Sequence, residues 1–248
     1  MRPIVSLEDV SLRYHSPNGE TLAVSHLNLT VQSGEFISIV GPSGCGKSTI
    51  LSMLAGLLPP SSGSLSVNGS IGYMLQKDHL LPWRTIRSNA LLGLEIQKKL
   101  TPDAIRSVDM MLEQYGLGEF QNSFPDQLSG GMRQRVALIR TLATCPDLLL
   151  LDEPFSALDY QTRLTVSDEI GAILRQEGKT AILVTHDIAE AISLSDRVIV
   201  LTKRPASLKQ IFPISFASPK TSPMQTREAP EFKDYFNMIW KELDIHVS

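Results

Sequence analysis

In the stretch GPSGCGKST, residues 41–49, three glycines lead into a lysine and two hydroxyl residues. At the spacing G-x-x-x-x-G-K-[ST] these residue types suit one chemistry, the holding of a chain of phosphates. Gly41, Gly44 and Gly46 can take backbone angles that other residues avoid. The N–H groups of the loop, which also carries Pro42, Ser43 and Cys45, can then turn inward as an anion-binding nest. Lys47 supplies a full charge for the outer phosphates, the Ser48 hydroxyl can ligate Mg²⁺, and Thr49 offers a further phosphate contact.

Such a metal needs an acidic partner. LLLLDEP, residues 148–154, places Asp152 at the end of an apolar run, where ligands gather in open α/β sheets. Glu153, next to it, is the candidate general base for an attacking water. His186 follows a second apolar run, AILVT. A lone histidine is more often a satisfied polar residue; at a strand end beside a phosphate loop it can hydrogen-bond the γ-phosphate and the water. LSGGMRQRVALIRTL, residues 128–142, reads as a second anion site. There Ser129 is placed as an N-cap, Gly130 and Gly131 leave N–H groups open, and Arg133, Arg135 and Arg140 follow on the helix. Two phosphate-binding features so far apart in sequence can face one nucleotide in two ways. Either the chain folds back, or a second chain supplies one of them.

The flanking residues indicate the elements that hold these groups. FISIV, residues 36–40, is short, β-branched and apolar, the signature of a buried strand. ILSMLAGLL, residues 50–58, is made of good helix formers, so the phosphate loop lies between a strand and a helix. LNLTV, residues 27–31, alternates as a half-buried strand does, SPNGE at 16–20 has turn composition, and IGYML at 71–75 is a further short strand. LLLLD, AILVT and RVIVL, the last at 197–201, lack alternation and suit strands buried on both faces of a parallel sheet. Between about residues 85 and 143 the pattern is helical. Thr101 is an N-cap there, Pro102 a first helical residue and Gly116 lies past the end. A second helix follows SGG to about Thr144, and a third covers residues 159–177. The class is α/β, a nucleotide-type sheet with a helical lobe inserted. From about residue 209 the character changes. SPKTSPMQTREAP reads as a loop, and EFKDYFNMIWKEL places Phe232, Tyr235, Phe236, Ile239, Trp240 and Leu243 at helical spacing. That helix is expected to pack on its own domain or on a dimer mate, because its polar face is mixed in charge rather than basic.

Bulk properties narrow the function classes. The chain has 248 residues, room for one large or two small domains, and is 42% hydrophobic. A net charge of −3 and a pI near 6.0 argue against nucleic-acid binding. Two cysteines, Cys45 and Cys145, make no disulfide framework. The N-terminal MRPIVSLEDV has acidic residues where a signal peptide needs its apolar segment, and no run of 18 apolar residues occurs. The expectation is a chain that is neither exported nor membrane-spanning, with any membrane link through a partner.

Taken together and in order, GPSGCGKST, LSGGMRQR, LLLLDEP, SALD and the histidine of VTHD resemble the ATP-binding cassette ATPases over roughly residues 4–204. More narrowly, LLPWRTI and LDYQTR resemble the cassettes of nitrate, sulfonate and taurine uptake systems. The resemblance implies a P-loop NTPase with a RecA-like core sheet, an N-terminal antiparallel β subdomain and the helical subdomain inserted at about residues 85–143. It implies an ATPase domain over residues 1–208 and an extension over 209–248. It implies ATP and Mg²⁺ as ligands and a head-to-tail homodimer, in which Ser129, Gly130 and Gly131 act in trans on the partner's γ-phosphate. Asp159 of SALD would cross that interface, Gln76 would sense metal and γ-phosphate, and Tyr14 would stack on adenine. Asp152, Ser48 and Gln76 form the implied metal set, and Glu153, His186, Gln76 and Lys47 the implied catalytic set. The helical lobe from LLPWRTIRSNA would dock on a transmembrane permease, placing the protein at the cytoplasmic face of the membrane, with a solute-binding protein as indirect partner. Only NGS separates LSV from IGYML, so the β subdomain is expected to be trimmed there.

Two other classes compete. A soluble cassette ATPase acting on DNA or ribosomes commonly carries two cassettes, long coiled coils or metal-binding insertions; this sequence shows one cassette, no sustained heptads and no cysteine cluster. A non-catalytic nucleotide sensor would have lost Glu153, Lys47 or His186, and all three are present.

Overall fold

The computed structural model describes residues 3–17, 19–156, 158–176, 178–217 and 223–243. Two long strands, β1 (Val5–Ser16) and β2 (Gly19–Val31), form an antiparallel hairpin, and β4 (Ser62–Val67) adds to the other edge of β1. Asn18, in the expected SPNGE turn, lies outside the described residues. This three-stranded sheet, ordered β2-β1-β4, covers one face of a six-stranded sheet. The larger sheet is ordered β5-β6-β7-β3-β8-β9. Its strands are β3 (Phe36–Val40), β5 (Ile71–Met74), β6 (Leu148–Asp152), β7 (Thr180–Val184), β8 (Arg197–Leu201) and β9 (Leu208–Pro213). All pair in parallel except β9, which is antiparallel to β8. The central strands are buried along their whole length, as expected of apolar runs without alternation. The β subdomain passes into β5 through the short turn at Gly69, in keeping with the trimmed connection.

Helix α1 (Lys47–Leu54) leaves the phosphate loop under the β subdomain. It stops four residues short of the expected end. Gly56, at φ 72°, turns the chain back so that the N–H of Leu57 reaches the Ser52 carbonyl at 2.9 Å. The helical lobe holds α2 (Ile86–Ile96), α3 (Pro102–Gln114) and α4 (Gly130–Leu142). Thr85, Thr101 and Ser129 cap these helices through their side-chain oxygens. The lobe and α5 (Tyr160–Gln176) share one apolar cluster with one face of the large sheet. The β subdomain and α1 share a second with the opposite face. Residue 177, the expected end of the third helix, lies outside the described residues.

Helix α6 (Ile188–Leu194) and a C-terminal pair, α7 (Pro223–Glu228) and α8 (Pro230–Glu242), complete the chain. The segment expected as a loop is therefore helical from Pro223 to Glu228; residues 218–222 of it lie outside the described part. α8 packs on its own domain, burying Ile239 and Leu243 against Ile188, Ile192 and Val198. Phe232, Phe236 and Trp240 stack along it at four-residue intervals.

Candidate functional site

The strand order places the chemistry. Neighbouring parallel strands β5, β6, β7 and β3 all point their carboxyl ends to one edge of the sheet. Gln76 follows β5, Asp152 and Glu153 lie at the end of β6, His186 follows β7, and the phosphate loop follows β3. Residues scattered over more than a hundred positions thus meet because four short apolar runs pair side by side.

The loop surrounds a cavity of about 240 Å³ lined by Ser43, Gly44, Gly46, Lys47, Ser48, Thr49 and Glu153. Lys47 folds back over it, donating from Nζ to the Gly41 carbonyl at 2.8 Å and the Pro42 carbonyl at 3.1 Å. Within the loop, Gly46, at φ 131°, has no room for a side chain. A Cβ there would lie 2.9 Å from the Ala23 carbonyl oxygen and 3.2 Å from Ala206. The loop is therefore clamped between β2 and the turn before β9. Tyr14, exposed at the rim, has its hydroxyl 3.1 Å from Thr49 Oγ1. Cys45 is buried, and burial pushes its thiol up, which leaves little thiolate for redox chemistry.

Beside the loop, Ser48 Oγ donates to Asp152 Oδ1 at 3.1 Å and the Tyr73 hydroxyl to Oδ2 at 3.4 Å. Burial pushes the Asp152 carboxyl up; the Ser48 hydrogen bond opposes this and the neighbouring Glu153 charge adds to it. A buried carboxylate and a hydroxyl at the edge of a phosphate pocket suit Mg²⁺, which is usually held by one or two carboxylates and substrate phosphates. Among the described residues no group of three or more His, Cys, Asp or Glu could hold a metal ion.

Glu153 leaves its strand at φ 44°, a left-handed turn that costs a non-glycine residue roughly 1–2 kcal/mol. The turn is held by its N–H on the Val184 carbonyl at 2.8 Å and by its carbonyl, which accepts from Ser156 Oγ at 3.0 Å. The strain swings the carboxylate over the pocket, where Oε2 lies 3.1 Å from His186 Nδ1 and accepts from Gln76 Nε2 at 3.5 Å. Gln76 also reaches Ser156 Oγ at 3.3 Å. Glu153, His186 and Gln76 thus form one cluster in a single chain.

Ser129, Gly130, Gly131 and Asp159 do not line this pocket. Ser129 is exposed at the start of α4, its Oγ accepting from the Met132 N–H at 3.3 Å. Gly131 is pressed against α5, where a Cβ would meet Thr162 Cγ2 at 2.9 Å and Val166 Cγ2 at 3.0 Å. Asp159 caps α5 through the Thr162 N–H at 3.1 Å; those hydrogen bonds hold its carboxyl below the usual range. Ala157 of the SALD motif lies outside the described residues. The arginines expected at the second anion site face elsewhere. Arg133 pairs with Asp78 at 3.0 Å, Arg135 donates to the Tyr115 carbonyl at 2.8 Å, and Arg140 donates to the carbonyls of His79 and Asp78. They brace the lobe instead.

Sequence reasoning missed the support under His186. Thr185 Oγ1 donates to Glu190 Oε2 at 2.7 Å and accepts from the Asp187 N–H at 3.0 Å, fixing the turn that carries the histidine. Glu190 is only 3% exposed. Burial, then the Asp187 charge, pushes its carboxyl up to about 7, against the opposing Thr185 hydrogen bond and the Arg163 and His186 charges. Folding therefore raises this pKa above its unfolded value. The associated stability is full below about pH 4.5 and is lost as pH rises through about 7. Glu190→Gln keeps the acceptor and removes the titration. It should be more stable than the parent at pH 8, by at most about 3 kcal/mol, and no different at pH 4.5. Urea unfolding at both pH values checks this; parallel stability–pH curves for the two chains would refute it.

Comparison with known proteins shows the family. The family model described as "ABC transporter" matches residues 24–156. The chain is 45% identical to the ABC transporter ATP-binding protein YtlC of Bacillus subtilis, over 96% of this chain and 95% of that one. It is 36% identical to the taurine import ATP-binding protein TauB of Roseobacter denitrificans, over 95% and 94%. Among solved structures it is similar to the ATP-binding cassette MJ0796, described as a dimeric post-hydrolysis state bound to ADP and Pi. That similarity has a TM-score of 0.73 and 31% identity, covering 85% of this chain and 99% of the other.

Proposed function

This chain belongs to the ABC transporter ATP-binding family and is an ATPase, and on that premise we propose that it is the motor subunit of a membrane importer, acting as a head-to-tail homodimer. The observation that carries the reading is the cluster at the sheet edge: a lysine-covered phosphate loop, a buried Asp152 paired with Ser48 and a Glu153 aimed by His186 and Gln76.

The mechanism follows from these groups. Loop N–H groups and Lys47 hold the β- and γ-phosphates. Ser48, Asp152 and Gln76 would hold Mg²⁺, which when bound neutralises charge on the phosphate oxygens. Glu153 takes a proton from the attacking water while His186 fixes the orientation of Glu153 and of the γ-phosphate. Tyr14 packs on the base. The γ-phosphate face of the pocket, open in one chain, is closed by Ser129, Gly130 and Gly131 of a second copy, with Asp159 crossing between the two sites. Closure on ATP and reopening after hydrolysis supply the stroke.

The stroke is delivered through the helical lobe. Beside β5 an open groove of about 370 Å³ runs between Tyr73, His79 and Arg140 and the exposed side of α2. Ile96, which lines it, is 73% exposed, and Trp83, ahead of α2, is 72% exposed; such apolar surface on the lobe suits a permease. Among the described residues no helix is long and apolar enough to cross a membrane. In this reading the membrane domain is a separate subunit and the chain sits at the cytoplasmic face. We assign residues 1–208 to the ATPase domain and 209–248 to its extension; β9 pairs with the core sheet across that boundary. The LLPWRTI and LDYQTR segments and the similarity to a taurine importer favour a small anion as cargo: a taurine-like sulfonate or nitrate, delivered by a solute-binding protein.

Affinity capture from detergent-solubilised membranes should recover a permease; recovery of ribosomes or DNA in its place would contradict the reading. Lys47→Ala should weaken ATP binding by roughly tenfold or more, since it removes a charge-assisted contact of about 1.5–3 kcal/mol. An unchanged dissociation constant, measured by titration calorimetry, would remove Lys47 from the phosphate site.

A further inference from the structure

Immediately after Gln76 the chain makes a sharp bend, and three side chains hold it. Asp78 Oδ1 accepts from the Leu80 N–H at 3.1 Å, bracing the bend from within. His79 takes a left-handed φ of 45°. Its carbonyl accepts from Arg140 Nη1 at 2.9 Å and that of Asp78 from Nη2 at 2.6 Å. Arg140 is drawn out of water to make these bonds, and burial pulls its guanidinium pKa down, with Asp78 opposing. Arg133, two turns earlier on α4, does two things at once. Nε donates to Asp78 Oδ2 at 3.0 Å and Nη1 to the Leu128 carbonyl at 2.7 Å. Leu128 is the residue before Ser129. The segment that follows the glutamine is thus bolted to the helix whose first turn carries Ser129.

We propose that Asp78 and Arg133, backed by Arg140, are positioning residues that couple Gln76 to Ser129, so that the state of one chain's nucleotide sets the placement of the serine that completes the partner's site. The inference rests on the homodimer reading. Neither residue touches nucleotide: Arg133 works by aiming the Leu128–Ser129 turn, and Asp78 by linking that turn to the glutamine. A rigid link has consequences, because roughly 1 Å of misplacement at a reacting centre can cost about a hundredfold in rate.

Removing the ion pair tests the link. In the permease complex, Asp78→Asn and Arg133→Gln alone should each lower kcat roughly tenfold to a hundredfold while leaving ATP affinity within about twofold, and their effects on kcat should be strongly non-additive. Asparagine keeps an oxygen for the Leu80 N–H, so the bend itself is retained. Full turnover in the single variants, or additive losses, would overturn the proposal.

Mixed dimers then locate the defect. Lys47→Ala placed in the same chain as Asp78→Asn, opposite a parent chain, leaves one loop facing a misaimed Ser129, and turnover should fall. With the two substitutions on opposite chains, the remaining site is sound and turnover per heterodimer should match that of Lys47→Ala opposite a parent chain. The reverse pattern would show that Asp78 serves its own chain's pocket and would overturn the coupling while leaving the dimer reading intact. If Lys47→Ala and Ser129→Glu chains failed to complement each other, the dimer reading itself would be at fault.

Discussion

Replacing Glu153 by glutamine should lower ATP hydrolysis by about 10²- to 10⁴-fold, the usual contribution of a placed base, with ATP binding retained. The substitution keeps the size of the side chain and removes its capacity to accept a proton from water. Its backbone position does not depend on the carboxylate: the left-handed turn is fixed by main-chain bonds to Val184 and Ser156. Neither the phosphate loop nor the Ser48–Asp152 pair rests on the Glu153 side chain. Binding and turnover should therefore separate, and the bound form should persist as a closed dimer. Phosphate release beside an equilibrium ATP titration measures both. Turnover equal to the parent's would assign the base elsewhere.

The second large effect is expected from a residue that touches nothing in its own chain's pocket. Ser129→Glu places a negative charge at the first turn of α4, where open N–H groups favour an anion. It should repel the partner's γ-phosphate and cut hydrolysis by about 10²-fold or more, on the scale of losing an oxyanion donor. ATP binding to an isolated chain should be unchanged, because the phosphate cavity is lined by phosphate-loop residues and Glu153, not by Ser129. Gly131→Ala is a poorer probe of the same idea. Its Cβ would collide with Thr162 and Val166 on α5, so lost packing and lost chemistry would be mixed. Steady-state ATPase assays of the permease complex, with titrations on the free chain, check the expected split. A fall in affinity of the free chain would place Ser129 in its own pocket.

The legible part of the site was the part written locally. A phosphate loop is nine consecutive residues whose spacing alone specifies the nest, and the apolar runs FISIV, LLLLD and AILVT announce buried parallel strands through their lack of alternation. What joins distant residues could not be read in the same way. Thr185 is visible as a polar residue closing an apolar run, but its partner Glu190 lies on the following helix and becomes meaningful only when buried. Tyr73 reads as one more strand residue; its hydroxyl reaches Asp152 only because β5 pairs with β6. The arginines after LSGG looked like anion ligands from their charge. The fold spends them on Asp78, Tyr115 and His79, groups 20 to 62 residues away. The helix at Pro223–Glu228 was hidden by a proline- and serine-rich composition, and it is stabilised by packing between α6 and α8 rather than by propensity.

Mixing two crippled chains asks whether the pocket is shared. At ATP concentrations that still fill the weakened Lys47→Ala loop, and so keep that chain's own serine placed, Lys47→Ala disables the chemistry of a loop and Ser129→Glu the surface that closes a loop, so homodimers of either variant contain no intact site. A heterodimer of the two keeps one sound loop facing one sound serine. Mixed preparations in the permease complex should regain hydrolysis to at most about a quarter of the parent rate, half the dimers carrying one of two sites. A mixture as inactive as its components would mean that each chain completes its own pocket, and the two-chain account would be wrong.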